Sequence, residues 1–555
     1  MKAYYPMTLH VHSIWERQAS MEGHFYNAQK LGIQHMYITD HDNRMGPRAN
    51  HVDHFDFTKG VLKVLEPSKD PLRPRWYGFT VVQQDEGTSV TMKDGAMHLE
   101  ASSAEVEKEK WSTINVLFDN SQKRHEVALL AKAMLHLGMQ ITDYSDCSND
   151  IRMIIDVKLS QRPPEFENAH IYYVFGNTEG LDSSYITVKS MDEYREFNCF
   201  DLDLLTDAKA VGGADNILNT VSFIVSARNG QSAKLSVNRM SFSWKLEFEE
   251  GRKEQQRVAD EIGKKYGVTP FVTSEISEAG RHKICFSTKV PIINYKERNY
   301  QVTDAEAMEH VRSHGGIYSR NHPFFSIKNK AKLGEKPEAI EQAKFGIIRE
   351  FIENRAWGAA MIEIGFPAGR HGASLEDYLY LWDRLSSEGI FISGYGDSDS
   401  HGNHGGWFDG NNFVGYIAAE NPCEEEFIHS MKAGDLYTGD PVYLQRVEVS
   451  FVSSEGQMMG QVSVNEKPGK AILTLKDLPE DCRVIWTANG QNIRTDYCDK
   501  EYQGTLDIPT EEKVNFVRVA LYKGERCILL TNPIYQTLDE EVMKNISEER
   551  KYEYV

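Results

Sequence analysis

Hydrophobic and polar positions along the chain follow two patterns, and the change from one to the other divides the sequence. The first pattern is a short apolar strand followed by an amphipathic helix. It occurs near the N-terminus and again after about residue 250, where a helix from Arg252 to Tyr266 is ended by Gly267 and another begins at the capping box Thr303-x-x-Glu306. Strands that alternate with helices predict parallel pairing, in a barrel or in an open α/β sheet.

The second pattern is rich in strands and turn residues and has few helix signals. It covers about residues 80–245, where Ile151–Leu159 is typical, and about residues 441–535, where Gln445–Phe451 is typical. These stretches predict a β-sandwich inserted into the α/β region and a second sandwich at the C-terminus. The segment 121–138 fits a helix or a strand, and both alternatives stay open.

Length and charge limit the classes of protein. The 555 residues predict two to four domains. The chain carries 62 Lys and Arg against 82 Asp and Glu, a net charge of −20, which argues against nucleic acid as the main partner. Hydrophobic residues make up 40% and aromatic residues 11%, so the composition is that of a folded chain and not of a disordered one.

Neither a membrane segment nor a disulfide framework is indicated. No stretch approaches the ~18 consecutive apolar residues of a spanning helix, and the N-terminus lacks the apolar core of a signal peptide. The seven cysteines are scattered and contain no Cys-x-x-Cys pair, which favours free thiols over a thiolate zinc site. We therefore expect a cytoplasmic protein without a membrane partner.

Side chains of metal-ligand type gather at the ends of the predicted parallel strands, where α/β enzymes place their active sites. His10 and His12 are one residue apart on a strand, so both imidazoles point the same way. His41 follows the strand Met36–Thr39, and Glu363, at another strand end, is a candidate structural acid. Other strand ends or the residues just after them supply Glu275, His282, His322, Asp399 and His401. This arrangement predicts a metal site.

The order of the motifs resembles that of a known superfamily. His-x-His, Thr-Asp-His-Asp, Ser-Glu-Ile-Ser, His-Lys-Ile-Cys, Asn-His-Pro and Asp-Ser-His occur in this order, as in the PHP (polymerase and histidinol phosphatase) superfamily of metal-dependent phosphoesterases. The resemblance covers roughly residues 1–60 and 250–440, and the accompanying β-rich regions are similar to those of its carbaryl-hydrolase-like (CehA/McbA) branch.

The resemblance implies an α/β fold with a distorted (β/α)7 TIM-like PHP barrel. The barrel would comprise residues 1–75 and 249–440. A jelly-roll-like β-sandwich would be inserted at 76–248, and a C-terminal β-sandwich would follow at 441–555.

The same resemblance implies two or three divalent cations per chain. One would be held by His10, His12, Glu275 and Asp399. Glu275 would bridge to a second cation, held by His282 and His322. A third would use His41 and His401, with Glu16 as the additional ligand from the loop after His-x-His. Imidazole and carboxylate ligands suit zinc, manganese or iron, and the sequence does not choose among them.

Such a centre predicts hydrolysis of a small-molecule phosphoester. Two cations ~3.5–4 Å apart lower the pKa of a bridging water, which then attacks as hydroxide. An anionic substrate would also need a cation nearby, and the candidate residues are Arg320, Arg370 with the adjacent His371, Arg44 and His404. Asp40 and Asp397 adjoin ligands and are candidate partners that orient an imidazole, although Asp397 could instead cap its turn.

Two other functions are compatible with these residues. A metal-activated water attacks carbonyl carbon as well, so the rival reaction is hydrolysis of an ester, amide or carbamate, as in the CehA branch. A different class is a non-catalytic carbohydrate-binding or scaffold protein. Aromatic residues of the predicted insert could contact sugar rings or belong to the core or an interface: Tyr172, Tyr173, Tyr185 and Trp244. The insert could equally support an oligomer.

Overall fold

A computed structural model gives the fold of most of the chain. It describes residues 2–13, 21–42, 52–56, 61–64, 78–104, 110–119, 136–145, 148–162, 167–181, 183, 186–191, 199–204, 207, 220–243, 248–277, 281–294, 301–332, 334–401, 413–464, 469–539 and 542. Strands account for 46% and helices for 24% of the structure, so the fold is mostly β.

The strands are numbered in chain order. The first fifteen are β1 (Ala3–Val11), β2 (His35–His41), β3 (Val52–Asp56), β4 (Val61–Val64), β5 (Gly78–Gln84), β6 (Thr88–Lys93), β7 (Ala96–Ser102), β8 (Ser112–Asp119), β9 (His136–Tyr144), β10 (Ile151–Arg162), β11 (Glu167–Gly176), β12 (Ile186–Ser190), β13 (Cys199–Asp203), β14 (Thr220–Ala227) and β15 (Ser232–Ser243). The remaining strands are β16 (Thr269–Ile276), β17 (Lys283–Phe286), β18 (Ile317–Arg320), β19 (Met361–Glu363), β20 (Ser393–Tyr395), β21 (Val414–Ala419), β22 (Leu436–Gly439), β23 (Glu448–Ser453), β24 (Val462–Val464), β25 (Lys470–Lys476), β26 (Cys482–Ala488), β27 (Gln491–Cys498), β28 (Glu501–Asp507), β29 (Val514–Lys523), β30 (Arg526–Thr531) and β31 (Ile534–Thr537).

The helices lie between the strands of the N-terminal and central parts. They are α1 (Met21–Lys30), α2 (Phe248–Tyr266), α3 (Asp304–Ser313), α4 (Ile327–Lys332), α5 (Pro337–Glu353), α6 (Leu375–Ser387), α7 (Glu424–Ala433) and α8 (Pro441–Leu444), with a 3₁₀ turn at Arg355–Gly358. Within the described chain, no helix is both long and apolar enough to cross a membrane.

A 15-stranded mixed sheet, called here the large sheet, is the largest sheet of the described chain. Its main path runs β20-β19-β18-β17-β16-β2-β1-β21-β22-β30-β29-β26-β27. In addition β31 pairs with β29, and β24 pairs with β31. Parallel pairs join β1, β2 and β16 and, separately, β18, β19 and β20. Between these two groups, β17 pairs antiparallel with both of its neighbours.

The prediction of an α/β fold built on a (β/α)7 TIM-like PHP barrel is wrong. A hairpin and not a helix follows β16, because the connection to β17 spans only residues 277–282, too few for the crossover that parallel pairing requires. After β20 the chain returns through the antiparallel strands β21 and β22. The C-terminal strands β30, β29, β26 and β27 then continue the large sheet, and β23, β25 and β28 form a further three-stranded sheet. Buried residues of this small sheet and of β26 and β29 belong to one hydrophobic cluster, and the boundaries predicted for the C-terminal sandwich stay predictions.

The chain between β3 and β15 forms two further sheets around one core. One sheet has the order β12-β11-β10-β14-β8-β5-β4, and the other has the order β13-β9-β15-β7-β6 with β3 on β15. Buried side chains of both sheets, such as Met153, Phe223 and Leu235, belong to a single hydrophobic cluster. The boundaries that the sequence suggests for this region stay predictions.

Local sequence signals account for the helices that surround the large sheet. The capping box predicted at Thr303 and Glu306 is present at the start of α3, where such a cap stabilises a helix by ~1 kcal/mol. Ser374 and Asp377 form a second capping box at the start of α6. Gly267 follows α2 with φ 69°, a left-handed conformation that costs glycine little.

The large sheet brings several strand ends to one place. The strands β1, β2 and β16 are parallel and adjacent, so their carboxyl ends lie at the same edge. The segment after β20 reaches this edge too, because Val11 forms a parallel bridge with Ser400 and the His12 N–H donates to the Ser400 carbonyl at 2.9 Å. This edge carries the candidate site.

Candidate metal centre

The end of β1 contributes two buried imidazoles. His10 is on the strand and His12 follows it, and both side chains are completely buried. Their Nε2 atoms are 3.1 Å apart. Two nitrogen ligands of one tetrahedral zinc ion, each ~2.0–2.1 Å from the metal, are separated by about 3.4 Å. The pair therefore has nearly the spacing that a shared cation requires.

Glu275, at the end of β16, lies at the centre of the histidines. Its carboxylate is fully buried and has an imidazole nitrogen within 3.7 Å from each of five histidines. The distances are 3.7 Å to His10 Nε2, 3.5 Å to His12 Nε2, 2.8 Å to His41 Nδ1, 3.3 Å to His282 Nδ1 and 3.2 Å to His322 Nε2. A single carboxylate shared by so many nitrogens is suited to bridging two cations.

Asp399 and His401 approach from the segment that follows β20. The nearest Asp399 carboxylate oxygen is 3.2 Å from His10 Nε2 and 3.0 Å from His12 Nε2. The His401 ring stacks on the His12 ring with centroids 3.9 Å apart. The structure thus brings together eight predicted ligands: His10, His12, His41, Glu275, His282, His322, Asp399 and His401.

Three groups of these side chains could each hold an ion. The groups are His10, His12 and Glu275; His41, Glu275 and His282; and His12, His41 and His401. The first group contains three of the four ligands predicted for the first cation. The other two groups differ from the predicted sets, because His41 also lies beside Glu275 and His12 also lies beside His401. The centre is therefore more continuous than three separate sets, with His12, His41 and Glu275 each in two groups.

Unpartnered buried atoms provide a test of whether these residues suit a cation. Glu275 Oε2, Asp399 Oδ1 and His282 Nδ1 are buried and make no well-aligned hydrogen bond in the described structure, although each lies within 3.3 Å of another ligand atom. A buried polar atom without a partner costs about 1–3 kcal/mol. All three atoms are metal-ligand types and face other ligand atoms, so a bound cation would satisfy them, and the residues fit a metal centre.

The charges of the cluster depend on one another. Burial raises the pKa of Glu275, but nearby His41, His282 and His10 outweigh it and hold that pKa well below its usual range. Burial lowers the pKa of His10, but Asp399, Glu363 and Glu275 together raise it well above the ordinary value. Positive charge is thus strongly favoured at this position, and metal ions bind such ligands by displacing their protons.

Two of these ligands, His322 and Asp399, and the nearby His371 have a strained backbone. His322, His371 and Asp399 have φ values of 26°, 57° and 46°, in a region that non-glycine residues rarely adopt. Strained conformations of this kind persist where the surrounding structure holds them, and they cluster at functional sites.

Several supporting residues were not predicted. Asn321 donates to Glu275 Oε1 at 2.7 Å, Ser277 Oγ is 2.5 Å from His41 Nδ1, and His24 Nε2 is 2.9 Å from the His12 carbonyl oxygen. Asn321 and Ser277 stand inside the motifs Asn-His-Pro and Ser-Glu-Ile-Ser, so their proximity to ligands is visible in the sequence. His24 has no such signal, because it comes from α1.

Asp40 and Asp397, the predicted partners of ligands, each accept hydrogen bonds from backbone near the ligands of β1. Asp40 accepts hydrogen bonds from the Ser13 backbone N–H and hydroxyl, both at 2.5 Å, and from Gln255 at 2.6 Å. Asp397 accepts from the Thr8 hydroxyl at 2.8 Å and from the Leu9 N–H. Through these bonds, both carboxylates hold backbone beside the ligands of β1, and burial raises the pKa of Asp397 to about 7.

Of the predicted substrate-binding cations, Arg370 reaches the centre and Arg320 does not. Arg370 hydrogen-bonds Asp399, and its Nη1 atom is buried without a partner in the described structure. Arg320 pairs with Asp304 at 2.5 Å and lies over the Trp357 ring. Alternation along β18 explains this, because Asn321, one residue on, points to Glu275 and leaves Arg320 on the opposite side.

Other predicted residues are elsewhere or lie outside the described residues. Glu16, Arg44 and His404 are in the segments that the structure does not describe. In the insert, Tyr173 is buried in the core and Tyr172 is partly exposed. Tyr185 and Trp244 lie outside the described residues.

Comparisons with known proteins add little. No family model and no curated protein matches the chain. Among solved structures, a family 11 carbohydrate-binding module from Clostridium thermocellum, in complex with a β-1,3-1,4-mixed-linked tetrasaccharide, is 13% identical and covers 33% of this chain and 95% of its own, with a TM-score of 0.17. A structure named PfGH50B is 9% identical and covers 31% of this chain and 23% of its own, with a TM-score of 0.15. At these TM-scores neither likeness bears on the fold or the function.

Proposed function

We propose that the chain is a metal-dependent hydrolase of small phosphoesters, with a metal centre like that of the PHP superfamily. The observation that carries the proposal is the convergence of eight ligand-type side chains from separate strand ends around the buried Glu275 carboxylate. The proposed likeness to the PHP superfamily is limited to the residues of the metal centre, because the fold around them is a mixed sheet.

The chain's own residues would divide the tasks at the centre. Divalent cations, when bound, would supply Lewis acidity and an activated water. His10, His12 and Glu275 would hold one ion, and His41, Glu275 and His282 another, with His322 and Asp399 in reach of the same carboxylate and imidazoles. Zinc, manganese and iron all suit this donor set.

Arg370 supports an anionic substrate. Burial lowers the pKa of this guanidinium, but Asp399 and Glu363 outweigh it and raise the pKa, so Arg370 is a permanent cation beside the ligands. One amino group is used by Asp399, while the buried Nη1 has no partner in the described structure. A guanidinium fork matches the oxygens of a phosphoryl group, so Nη1 is suited to bind a substrate oxygen.

The proposed compartment is the cytoplasm. The cysteines whose side chains the structure describes are free thiols, which suits a reducing compartment. A small molecule is the proposed substrate, since the net charge of −20 opposes a long polyanion.

A hydrolase screen on purified protein tests the proposal. We expect zinc-, manganese- or iron-loaded protein to hydrolyse phosphate monoesters or diesters, and the His12→Ala variant to lose this activity. His35→Phe is the matched control, because His35 is a buried histidine outside the cluster. Activity on neutral carboxylic esters, amides or carbamates with none on phosphoesters would replace the proposal by its rival, and full activity in His12→Ala would overturn the site.

A further inference from the structure

Glu363 contacts two residues of the candidate metal centre that come from different strands. It ends β19, and its side chain is completely buried. One carboxylate oxygen, Oε1, is 3.1 Å from His10 Nδ1, and the other, Oε2, accepts the His322 backbone N–H at 2.7 Å. His10 and His322 come from different strands, β1 and the end of β18, so one carboxylate connects two separate parts of the site.

The contact with His10 determines which nitrogen of that ring can bind a cation. A carboxylate accepts hydrogen bonds, so His10 Nδ1 carries the proton and donates it to Glu363. The lone pair is then on Nε2, the atom that faces His12, Glu275 and Asp399. Carboxylates that accept from the second nitrogen of a ligand histidine fix its tautomer and the orientation of its ring.

The contact with His322 holds a strained backbone. His322 has a φ of 26°, and its Nε2 atom is 3.2 Å from Glu275 Oε1. The strain costs of the order of 1–3 kcal/mol and persists where neighbouring groups hold it in place. The hydrogen bond from the His322 N–H to Glu363 is one such restraint, and it directs the imidazole towards the centre.

From these two contacts we infer that Glu363 is a positioning residue, which orients His10 and His322 towards Glu275 so that the centre binds metal. The inference rests on the proposed function, since it requires that the cluster bind cations. Glu363 is not assigned as a ligand, because both of its oxygens are directed at other groups of the protein.

The Glu363→Gln variant tests this role with Co²⁺ as the probe. A glutamine has nearly the same shape but one acceptor oxygen, so it cannot accept from both His10 and His322. We expect Co²⁺ affinity, measured by titration of chelator-stripped protein, to fall about 10–100-fold, as for other partners of metal ligands. The visible absorption of bound Co²⁺ should shift as well, because the His10 ring is no longer held.

Asp383→Asn is the matched control. Asp383 is another buried carboxylate that accepts from two N–H groups, those of Arg518, both at 2.7 Å. This variant should lower the thermal midpoint and leave Co²⁺ affinity and spectrum unchanged. If Glu363→Gln does not unfold cooperatively, Glu363→Asp replaces it, because the shorter side chain keeps the charge but withdraws one oxygen from its partner.

The outcomes separate this inference from the proposed function. Weaker Co²⁺ binding with a shifted spectrum in the Glu363 variants, but not in Asp383→Asn, supports it. Wild-type affinity and spectrum in a folded Glu363 variant overturn it while the metal centre stands. Failure of the wild type itself to bind Co²⁺ overturns the proposed function and the inference together.

Discussion

The two ends of β2 place buried histidines in opposite surroundings. At the amino end, His35 packs among the rings of Tyr5, Phe271 and Phe427. At the carboxyl end, His41 lies 2.8 Å from the Glu275 carboxylate. Burial alone lowers the pKa of His35 to about 4. Carboxylates instead raise the pKa of the buried His10, which faces the same Glu275 from β1, well above its ordinary value.

The two surroundings show how a structural histidine differs from a ligand histidine. Both ends are buried, and the chain has 19 histidines, so burial and residue type do not identify a site. The carboxylates do, because they favour positive charge, which a proton or a metal ion can supply. Substitutions and metal binding at the amino end and the carboxyl end of β2 should therefore have different effects.

The largest effect is expected for Glu275→Gln, which removes the charge at the centre of the cluster. Five imidazoles surround this carboxylate, and two of the three candidate groups include it. We expect metal content to fall below one equivalent and hydrolysis to fall by ~10³-fold or more, the loss of several kcal/mol of charge stabilisation. Elemental analysis and initial rates measure both, and His35→Phe should change neither.

The next effect is a dependence of stability on pH that comes from His35. Its folded pKa of about 4 is below the unfolded value, so between pH 6.5 and 4 the unfolded chain binds more protons there. The contribution of His35 is complete above pH 6.5 and falls by about 3 kcal/mol as the pH drops to 4. Denaturant unfolding of wild type and His35→Phe at several pH values should show this loss in the wild type alone, and equal slopes would contradict it.

Metal binding should stabilise the folded protein through the carboxyl end of β2. A cation at 100 times its dissociation constant adds about 2.7 kcal/mol to stability. We expect Zn²⁺ or Mn²⁺ to raise the thermal midpoint of the wild type and of His35→Phe, but not of Glu275→Gln. An equal rise in Glu275→Gln would place the cation elsewhere.

A smaller effect is expected for Asn321→Ala. Asn321 donates to Glu275 Oε1 at 2.7 Å and so fixes the direction of the central carboxylate. Metal affinity should fall about 10–100-fold, as when other hydrogen-bond partners of ligands are removed. Titration of the chelator-stripped variant measures this, and an unchanged affinity in a cooperatively folding variant would show that Glu275 is held without Asn321.

The sequence predicts which ligands lie close together better than it predicts the fold around them. His10 and His12 share a direction because strand side chains alternate, and the ends of adjacent parallel strands meet at one edge. The prediction of a (β/α)7 barrel was wrong because β17 has only four residues and follows β16 through a short connection. Hydrophobic periodicity alone does not reveal such a short antiparallel strand. The same alternation rule, applied to Asn321, would have directed Arg320 away from the centre.

Contacts between segments that are distant in the chain could not be predicted from the sequence pattern. Glu363 is recognisable as an acid at a strand end, but its partners, His10 and the His322 backbone, are set by the order of the strands. The sharing of His41 between two groups likewise depends on the 2.8 Å approach of Glu275. Such distances follow from tertiary packing, and no spacing in the chain encodes them.

Whether these residues form a metal centre is decided by the metal content of the purified wild-type chain, measured after dialysis against excess Zn²⁺ or Mn²⁺ and then against metal-free buffer. We predict at least two equivalents of metal per chain by elemental analysis, since the shared carboxylate of Glu275 joins candidate groups for more than one ion. Less than one equivalent would show that these buried histidines and carboxylates do not form a metal centre.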